Sequence, residues 1–391
     1  MLYKPFQDLE LSCLGMGNMR LPTVGERGPI DEDKAREIIE YAYEHGVNYF
    51  DTAYRYHGGA SEPFVGKVLS QYPRDTWYLA SKMPGHMMNY RDGKLGFQGY
   101  LAGEEVRSIA AVFEDQLERC AVDYFDFYLL HNVCETSFDF YTNEELGVVP
   151  YLLEQKKAGR IRHLGFSAHG RAETIARFLD RYPGIFEFVQ IQLNYLDWDL
   201  QDAGRKYQLL EERHIPVVVM EPVRGGSLAN LKPACEAMLR EARPGDPAAA
   251  WAFRFLQSLP GVQVVLSGMS TLEQLKENIA LFSKDDPATE EDKALLRKVV
   301  AAMADMVPCT ACRYCCEACP QGLDIPKLIS MYNEVNYSGS LGTLNFTLNA
   351  MKEEELPSAC LSCGACQSLC PQNIPIPEVL QKFSQALEAA R

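Results

Sequence analysis

Nine of the thirteen cysteines lie beyond residue 308, in two copies of one spacing. They read Cys309-x-x-Cys312-x-x-Cys315-x-x-x-Cys319-Pro320 and Cys360-x-x-Cys363-x-x-Cys366-x-x-x-Cys370-Pro371. Three thiolates at three-residue intervals can wrap one corner of an iron–sulfur cubane, while a fourth, followed by proline, reaches elsewhere. The chemistry open to such a pattern is one-electron transfer through two [4Fe–4S] clusters. Zinc takes one set of four ligands rather than two interleaved sets, and disulfides call for an oxidising compartment.

The paired runs are similar to those of two-cluster ferredoxins, in which the fourth cysteine of each run ligates the other cluster. That resemblance implies one cluster on Cys309, Cys312, Cys315 and Cys370 and a second on Cys360, Cys363, Cys366 and Cys319, leaving Cys316 spare. Between and after the runs, Pro326–Val335, the segment Thr343–Lys352 and Pro377–Ala390 read as helical, which predicts an α-helical ferredoxin-type module.

The 391 residues exceed the usual size of one domain, so two are expected. From Lys284 to Met306, carboxylates in a first turn precede apolar residues at helical spacing, which marks a bridging helix. The predicted division is residues 1–284, a connecting helix over 285–305, and the cysteine module over 306–391. The first part alternates strand-like runs with helical stretches. Eight runs qualify: Leu11–Met19, Val47–Asp51, Trp77–Lys82, Phe125–His131, Ile161–Ser167, Phe188–Asn194, Pro216–Pro222 and Val262–Gly268. Eight β–α units predict a (β/α)8 barrel. The alternative is a doubly wound open sheet, but Gly15-Met16-Gly17 lacks the third glycine of a dinucleotide turn.

In a barrel, polar residues at the carboxyl ends of strands face the mouth. Asp51 and Tyr56 in Phe50-Asp-Thr-Ala-Tyr-Arg-Tyr56, Lys82 in Ala80-Ser-Lys82, and His131 in Leu129-Leu-His131 stand there. In these residues the chain resembles the aldo/keto reductase family, including its Asp-x-x-x-x-Tyr spacing. The likeness continues through Gly58-Gly-Ala-Ser61-Glu62, Leu164-Gly-Phe-Ser167, Gln190 and Glu277-Asn278, over roughly the first 280 residues. Tyr54 is the less well-placed tyrosine. The resemblance implies that Tyr56 is the general acid/base of carbonyl–alcohol interconversion. It implies further that Lys82 lowers the phenol pKa, that Asp51 holds Lys82 charged, and that His131 orients the carbonyl oxygen.

It also implies NAD(P)(H), with Ser167 and Gln190 on the nicotinamide carboxamide, Glu277 and Asn278 near adenine, and Gly17 and Arg224 among the cofactor-binding positions. The chain departs from the family pattern at Ala168, where an asparagine is usual, at Met220, where an aromatic would stack on nicotinamide, and at Gly268 and Gln274, which replace the usual basic grip on a 2′-phosphate and leave NADP preference unsupported. Lys276 and Arg224 are the available cations, and Arg224-Gly-Gly226 is a loop suited to phosphate or substrate. Clusters pass single electrons whereas nicotinamide passes hydride, so a flavin is a further candidate cofactor. The expected function is an iron–sulfur oxidoreductase acting on a small carbonyl or alcohol, with ferredoxin or another redox protein as partner. The alternatives are a nicotinamide-independent reductase fed through the clusters, and an electron carrier whose barrel is idle.

A net charge of −15 argues against nucleic acid as partner. Neither a signal-peptide core nor a bilayer-length apolar run is evident, and with reduced thiols this points to the cytoplasm. The long segments Pro84–Gly103 and Asn132–Val148 suit a lid or a docking face. Cys13, Cys120, Cys134 and Cys235 read as small buried or half-buried residues, with Cys134, three residues after His131, the one to check for reactivity.

Overall fold

Runs rich in Val, Ile, Leu and Phe that are apolar on both faces belong in a parallel sheet covered on both sides. The computed structural model describes residues 1–391 except 26–27, 92, 98–105, 304–306, 308, 310–313, 339–340, 342–343, 345–346, 349–350, 371–373 and 390–391. Its strands in chain order are β1 (Tyr3–Phe6), β2 (Leu9–Ser12), β3 (Leu14–Gly17), β4 (Tyr49–Asp51), β5 (Tyr78–Met83), β6 (Met88–Arg91), β7 (Lys94–Phe97), β8 (Phe125–Val133), β9 (Ile161–Ala168), β10 (Val189–Gln192), β11 (Val217–Met220) and β12 (Val262–Ser267). Eight of them, β3-β4-β5-β8-β9-β10-β11-β12, form a closed parallel barrel, with β12 pairing back onto β3 through Val265 and Leu14. Each predicted run supplies one barrel strand.

The predicted first strand, Leu11–Met19, is divided. Ser12 Oγ donates to Leu14 O (2.7 Å) and Ser12 N donates to Asn48 Oδ1 (2.8 Å), which turns the chain between β2 and β3. The β1–β2 hairpin thereby brings Phe6 into the barrel's apolar interior. Its ring lies 5.4 Å from Phe127, 5.1 Å from His163 and 6.2 Å from Phe188, and only 3% of its surface stays exposed. Gly165 on β9 is required by close approach: a Cβ there would sit 2.6 Å from Phe188. Within the expected long loop 84–103, β6 and β7 pair as a hairpin, and residues 98–103 lie outside the described residues.

Helices cover the barrel by the usual apolar stripe. Asp31 caps Glu32–Glu44, which buries Ala35, Ile38, Ile39 and Ala42 on one face. Ser61–Leu69 and Ile109–Cys120 meet where Gly66 faces the Cys120 backbone; a Cβ at Gly66 would lie 2.2 Å from Cys120 O. Cys13, Cys120 and Cys235 are buried.

The chain divides into two compact units, Met1–Asn230 with Gly245–Lys293, and Leu231–Pro244 with Ala294–Arg391. The bridging helix spans Glu290–Met303 and is capped reciprocally by Thr289 and Asp292. Most of it belongs to the second unit, together with the Pro233–Ala242 helix, whose Cys235 Sγ faces Val299 O at 3.9 Å. The second unit is helical and has its own core of Leu323, Ile325, Leu328, Ile329, Ile376, Leu380 and Phe383, where Ile325–Ser338 packs on Ile376–Ala389. The expected Thr343–Lys352 helix falls largely outside the described residues. No helix among the described residues is long and apolar enough to cross a membrane.

Because the barrel interior relies on Phe6 to fill it, Phe6→Ala should lower barrel stability by about 3–5 kcal/mol, read as an earlier far-ultraviolet urea transition. A shift within error would mean the hairpin is not part of the cooperative core.

Candidate active site

Lys82 and Asp51 are carried on neighbouring strands, and their side chains meet inside the barrel mouth. Lys82 Nζ donates to Asp51 Oδ1 at 2.6 Å and to Thr52 O at 2.8 Å, and it lies 3.4 Å from Tyr56 OH. Both members of the ion pair are buried. Tyr56 sits on the turn after β4, edge-on to His131 with ring centroids 6.0 Å apart. His131 stands at a register shift in β8, where Asn132 takes a left-handed φ of 58°. Such a bulge re-aims side chains next to a site. Tyr141 OH donates to both Met83 O (3.0 Å) and His131 O (2.7 Å), tying the ends of β5 and β8 together. The four residues expected at the strand ends thus converge.

A buried polar network stands behind them. Glu62 Oε1 accepts from Ser81 Oγ and Gln116 Nε2, each at 2.6 Å; Gln116 also donates to Lys82 O at 3.1 Å and accepts from Tyr128 OH at 2.5 Å. Arg119 pairs with Glu62 Oε2 (3.3 Å) and donates to Tyr54 O and Gly59 O, the backbone on either side of Tyr56. One carboxylate therefore braces both the lysine's strand and the tyrosine's turn. Tyr54 is turned away: its ring stacks on Phe97 at 5.8 Å and lies under Arg119 at 4.6 Å. Sequence reading quoted Glu62 only as part of a likeness and did not find Gln116 or Arg119, because their partners are remote in the chain.

The electrostatics differ from the expected pattern in one respect. Burial pushes the Tyr56 phenol above its usual pKa by more than Lys82 pulls it down, so the tyrosine holds its proton. Burial also disfavours the Lys82 charge, but Asp51 and Tyr56 outweigh it and keep the ammonium protonated above its usual range. Asp51 is pushed up by burial against Lys82's opposing pull, and its Oδ2 has no hydrogen-bond partner among the described residues. His131 is held well below its usual pKa, first by burial and then by His86, Lys82 and His169. His86, whose ring is 4.3 Å from His131, is lowered to about 4, again chiefly by burial. His169 is likewise lowered, chiefly by burial, so all three imidazoles are neutral near pH 7. Sequence reading missed His86 and His169, although one lies in the flagged segment after Pro84 and the other follows Ser167-Ala168.

Ser167 and Gln190 are register neighbours on β9 and β10, both buried. Ser167 Oγ accepts from Asn132 N at 2.8 Å, which leaves its hydroxyl hydrogen to donate, and Gln190 Oε1 is buried without a partner among the described residues. That orphaned acceptor beside a hydroxyl fits a carboxamide. Gly17 lies at the end of β3 beside Ser267, where a Cβ would be 3.3 Å from Ser267 O. On the Leu272–Leu281 helix, Glu277 is exposed, whereas Asn278 donates to Ser267 Oγ at 3.2 Å and Gln274 accepts from Ser270 N at 2.9 Å. Arg224 is turned inward: its Nε donates to Asp197 at 3.0 Å and the side chain is 9% exposed. A buried guanidinium needs a carboxylate, and Asp197 supplies it.

In the second unit, Cys319, Cys360, Cys363 and Cys366 line one recess together with Leu323, Ile325, Leu361 and Leu380. This is the interleaved set implied for the second cluster, and four soft thiols around one apolar recess suit a cubane. Of the other set, Cys309, Cys315 and Cys370 pack into or against the same apolar core, as does Cys316, while Cys312 lies outside the described residues. Asn333 braces the approach to Cys309, accepting from Val307 N at 2.8 Å and donating to Val307 O at 3.0 Å.

Known proteins agree with both halves. Residues 13–301 match the aldo/keto reductase family and residues 308–374 match the 4Fe-4S dicluster domain. L-Galactose dehydrogenase of Arabidopsis thaliana is 27% identical over 314 residues, covering 74% of this chain and 92% of that protein. NADH-specific methylglyoxal reductase of Escherichia coli is 24% identical over 335 residues, or 76% and 97% of the two chains. The holo form of an aldo-keto reductase from Bacillus halodurans superposes with a TM-score of 0.60 at 29% identity, covering 76% of this chain and 96% of that one. The chain belongs to the aldo/keto reductase family. It is an oxidoreductase whose barrel is followed by an iron–sulfur domain of the dicluster type.

The histidines give the barrel a pH signature. His86 is depressed from 6.5 to about 4, so between those values the unfolded chain takes up a proton that the folded one refuses. Stability should be at its full value above pH 6.5 and fall as pH drops toward 4; His86→Gln should flatten that slope in urea titrations at stepped pH. An unchanged slope would show that His86 is not held neutral by the fold.

Proposed function

We propose that the barrel interconverts a small carbonyl compound and its alcohol at the Tyr56 hydroxyl, and that the second unit exchanges electrons with a redox protein such as ferredoxin. The observation that carries the reading is the unbroken line from Asp51 through Lys82 to Tyr56, 2.6 and 3.4 Å, ending beside a neutral His131. A carbonyl that accepts hydride becomes an alkoxide and needs a proton within hydrogen-bond reach. Tyr56, protonated by its buried setting, is loaded to give one. Lys82 then stabilises the phenolate, and Asp51 keeps that lysine charged and in place. His131, as an uncharged imidazole, can donate a hydrogen bond to the carbonyl oxygen and orient it without competing as the acid. Ser167 and Gln190 would hold a nicotinamide carboxamide, and the eight cysteines would ligate two [4Fe–4S] clusters. A bound nicotinamide supplies hydride and the clusters supply single electrons, with a flavin the group able to convert between them.

A second reading is favoured by specific contacts on the Leu272–Leu281 helix. Asn278 is committed to Ser267 and Gln274 to Ser270, and with Arg224 bound to Asp197 the expected nucleotide end offers few free groups. On that reading nicotinamide is not used, and electrons from the clusters reduce a substrate in the barrel.

Tyr56→Phe should lower carbonyl turnover by about a hundredfold or more while both clusters remain visible by electron paramagnetic resonance after reduction. Turnover near wild type would remove Tyr56 from the role. Anaerobic titration with NADH and NADPH separates the two readings: saturable binding of either supports the first, and no binding supports the second.

A further inference from the structure

Large apolar side chains left in water usually mark an interaction surface when they gather near a site. Among the described residues the exposed large hydrophobics are Tyr3, Met19, Val24, Leu361 and Leu369, and the last two, 62% and 51% exposed, lie within one run of cluster ligands. Leu361 stands between Cys360 and Cys363 and lines the four-thiol recess; Leu369 directly precedes Cys370. Cys363 is itself exposed, whereas Cys315 and Cys366 are buried. From Leu356 to Cys370 the sequence carries no Asp, Glu, Lys, Arg or His, in a chain that is 23% charged. The first cysteine run, by contrast, includes Arg313 and Glu317. Immediately before the uncharged stretch, Glu353, Glu354 and Glu355 form an exposed acidic turn that packs on the Pro357–Ala359 turn leading into Cys360.

We propose that the cluster site formed by Cys319, Cys360, Cys363 and Cys366 is the port for electron exchange, and that Leu361, Cys363 and Leu369 form the docking face for a carrier protein whose exposed cofactor edge is apolar and ringed by lysine or arginine. The inference rests on the electron-exchange reading above and adds to it the site of exchange and the partner's chemistry. An uncharged apolar centre excludes water where the two cofactors approach, and an acidic border on a chain of net charge −15 attracts and orients a basic partner. One electron passes from the reduced cluster to the carrier's oxidised cofactor, or the reverse, with no bond formed and no proton moved. Such encounters are small and short-lived, which an exposed patch of this kind suits.

The test uses the full-length protein with its clusters reconstituted, reduced and freed of reductant. The probes are cytochrome c, which has a lysine ring around an exposed haem edge, the same cytochrome with its lysines succinylated, and ferricyanide as a small oxidant. Native cytochrome c should be reduced about tenfold faster than the succinylated form, and the advantage should shrink as salt is raised. Leu369→Ser, and separately Glu353→Lys with Glu354→Lys, should each slow native cytochrome c about tenfold and weaken its binding in calorimetry, leaving the ferricyanide rate and the cluster spectra unchanged. Wild-type rates and binding in both variants, or faster reaction with the succinylated protein, would overturn the docking face. Reduced clusters that fail to yield electrons even to ferricyanide would overturn the electron-exchange reading itself.

Discussion

A lysine ammonium buried in a barrel is tolerable only if an opposite charge and further acceptors meet it there. Lys82 has Asp51 at 2.6 Å and the Thr52 carbonyl at 2.8 Å, and the placement of the surrounding groups follows from that requirement. Asp51 must end β4 and Lys82 must lie on β5, which sets the barrel register between them. The turn after Asp51 must then bring Tyr56 over the ammonium. Glu62 serves both demands at once, holding Ser81 next to Lys82 and, through Arg119, the backbone that flanks Tyr56. Losing either partner of such a pair strands the other charge, at a cost of about 3–5 kcal/mol.

The same burial that makes the pair costly sets the protonation of the site. The phenol is raised and the imidazoles are lowered, so the mouth holds one buried ion pair, Lys82 with Asp51, among neutral proton donors and acceptors. From residue types alone, Lys82 was expected to bring the tyrosine down. Proximity does act in that direction, but the phenol is enclosed, and desolvation is the larger effect. The second unit poses a different problem, since its ligands must ring a cofactor rather than satisfy one another. An apolar core behind the thiols and the Asn333 clasp on Val307 hold the chain for that purpose.

Most of the barrel was legible because each strand is a short apolar run between turn signals, and a closed parallel sheet tolerates little else. What escaped were features whose cause lies far away in the chain. The division of Leu11–Met19 depends on Asn48 reaching Ser12, and the β6–β7 hairpin is masked in sequence by polar and glycine residues. Arg224 looked like a free loop cation because nothing nearby in sequence neutralises it; Asp197, twenty-seven residues earlier, does.

By itself the sequence determined which chemistries are possible: thiols in two interleaved runs, and an acid, a phenol, an amine and an imidazole at the ends of three strands. Spacing carries that information because ligand geometry and strand period are local. Only the tertiary structure decided which of those groups meet, which are charged, and which supporting residues hold them. Those outcomes depend on burial and on contacts between distant segments, and no local spacing encodes either one.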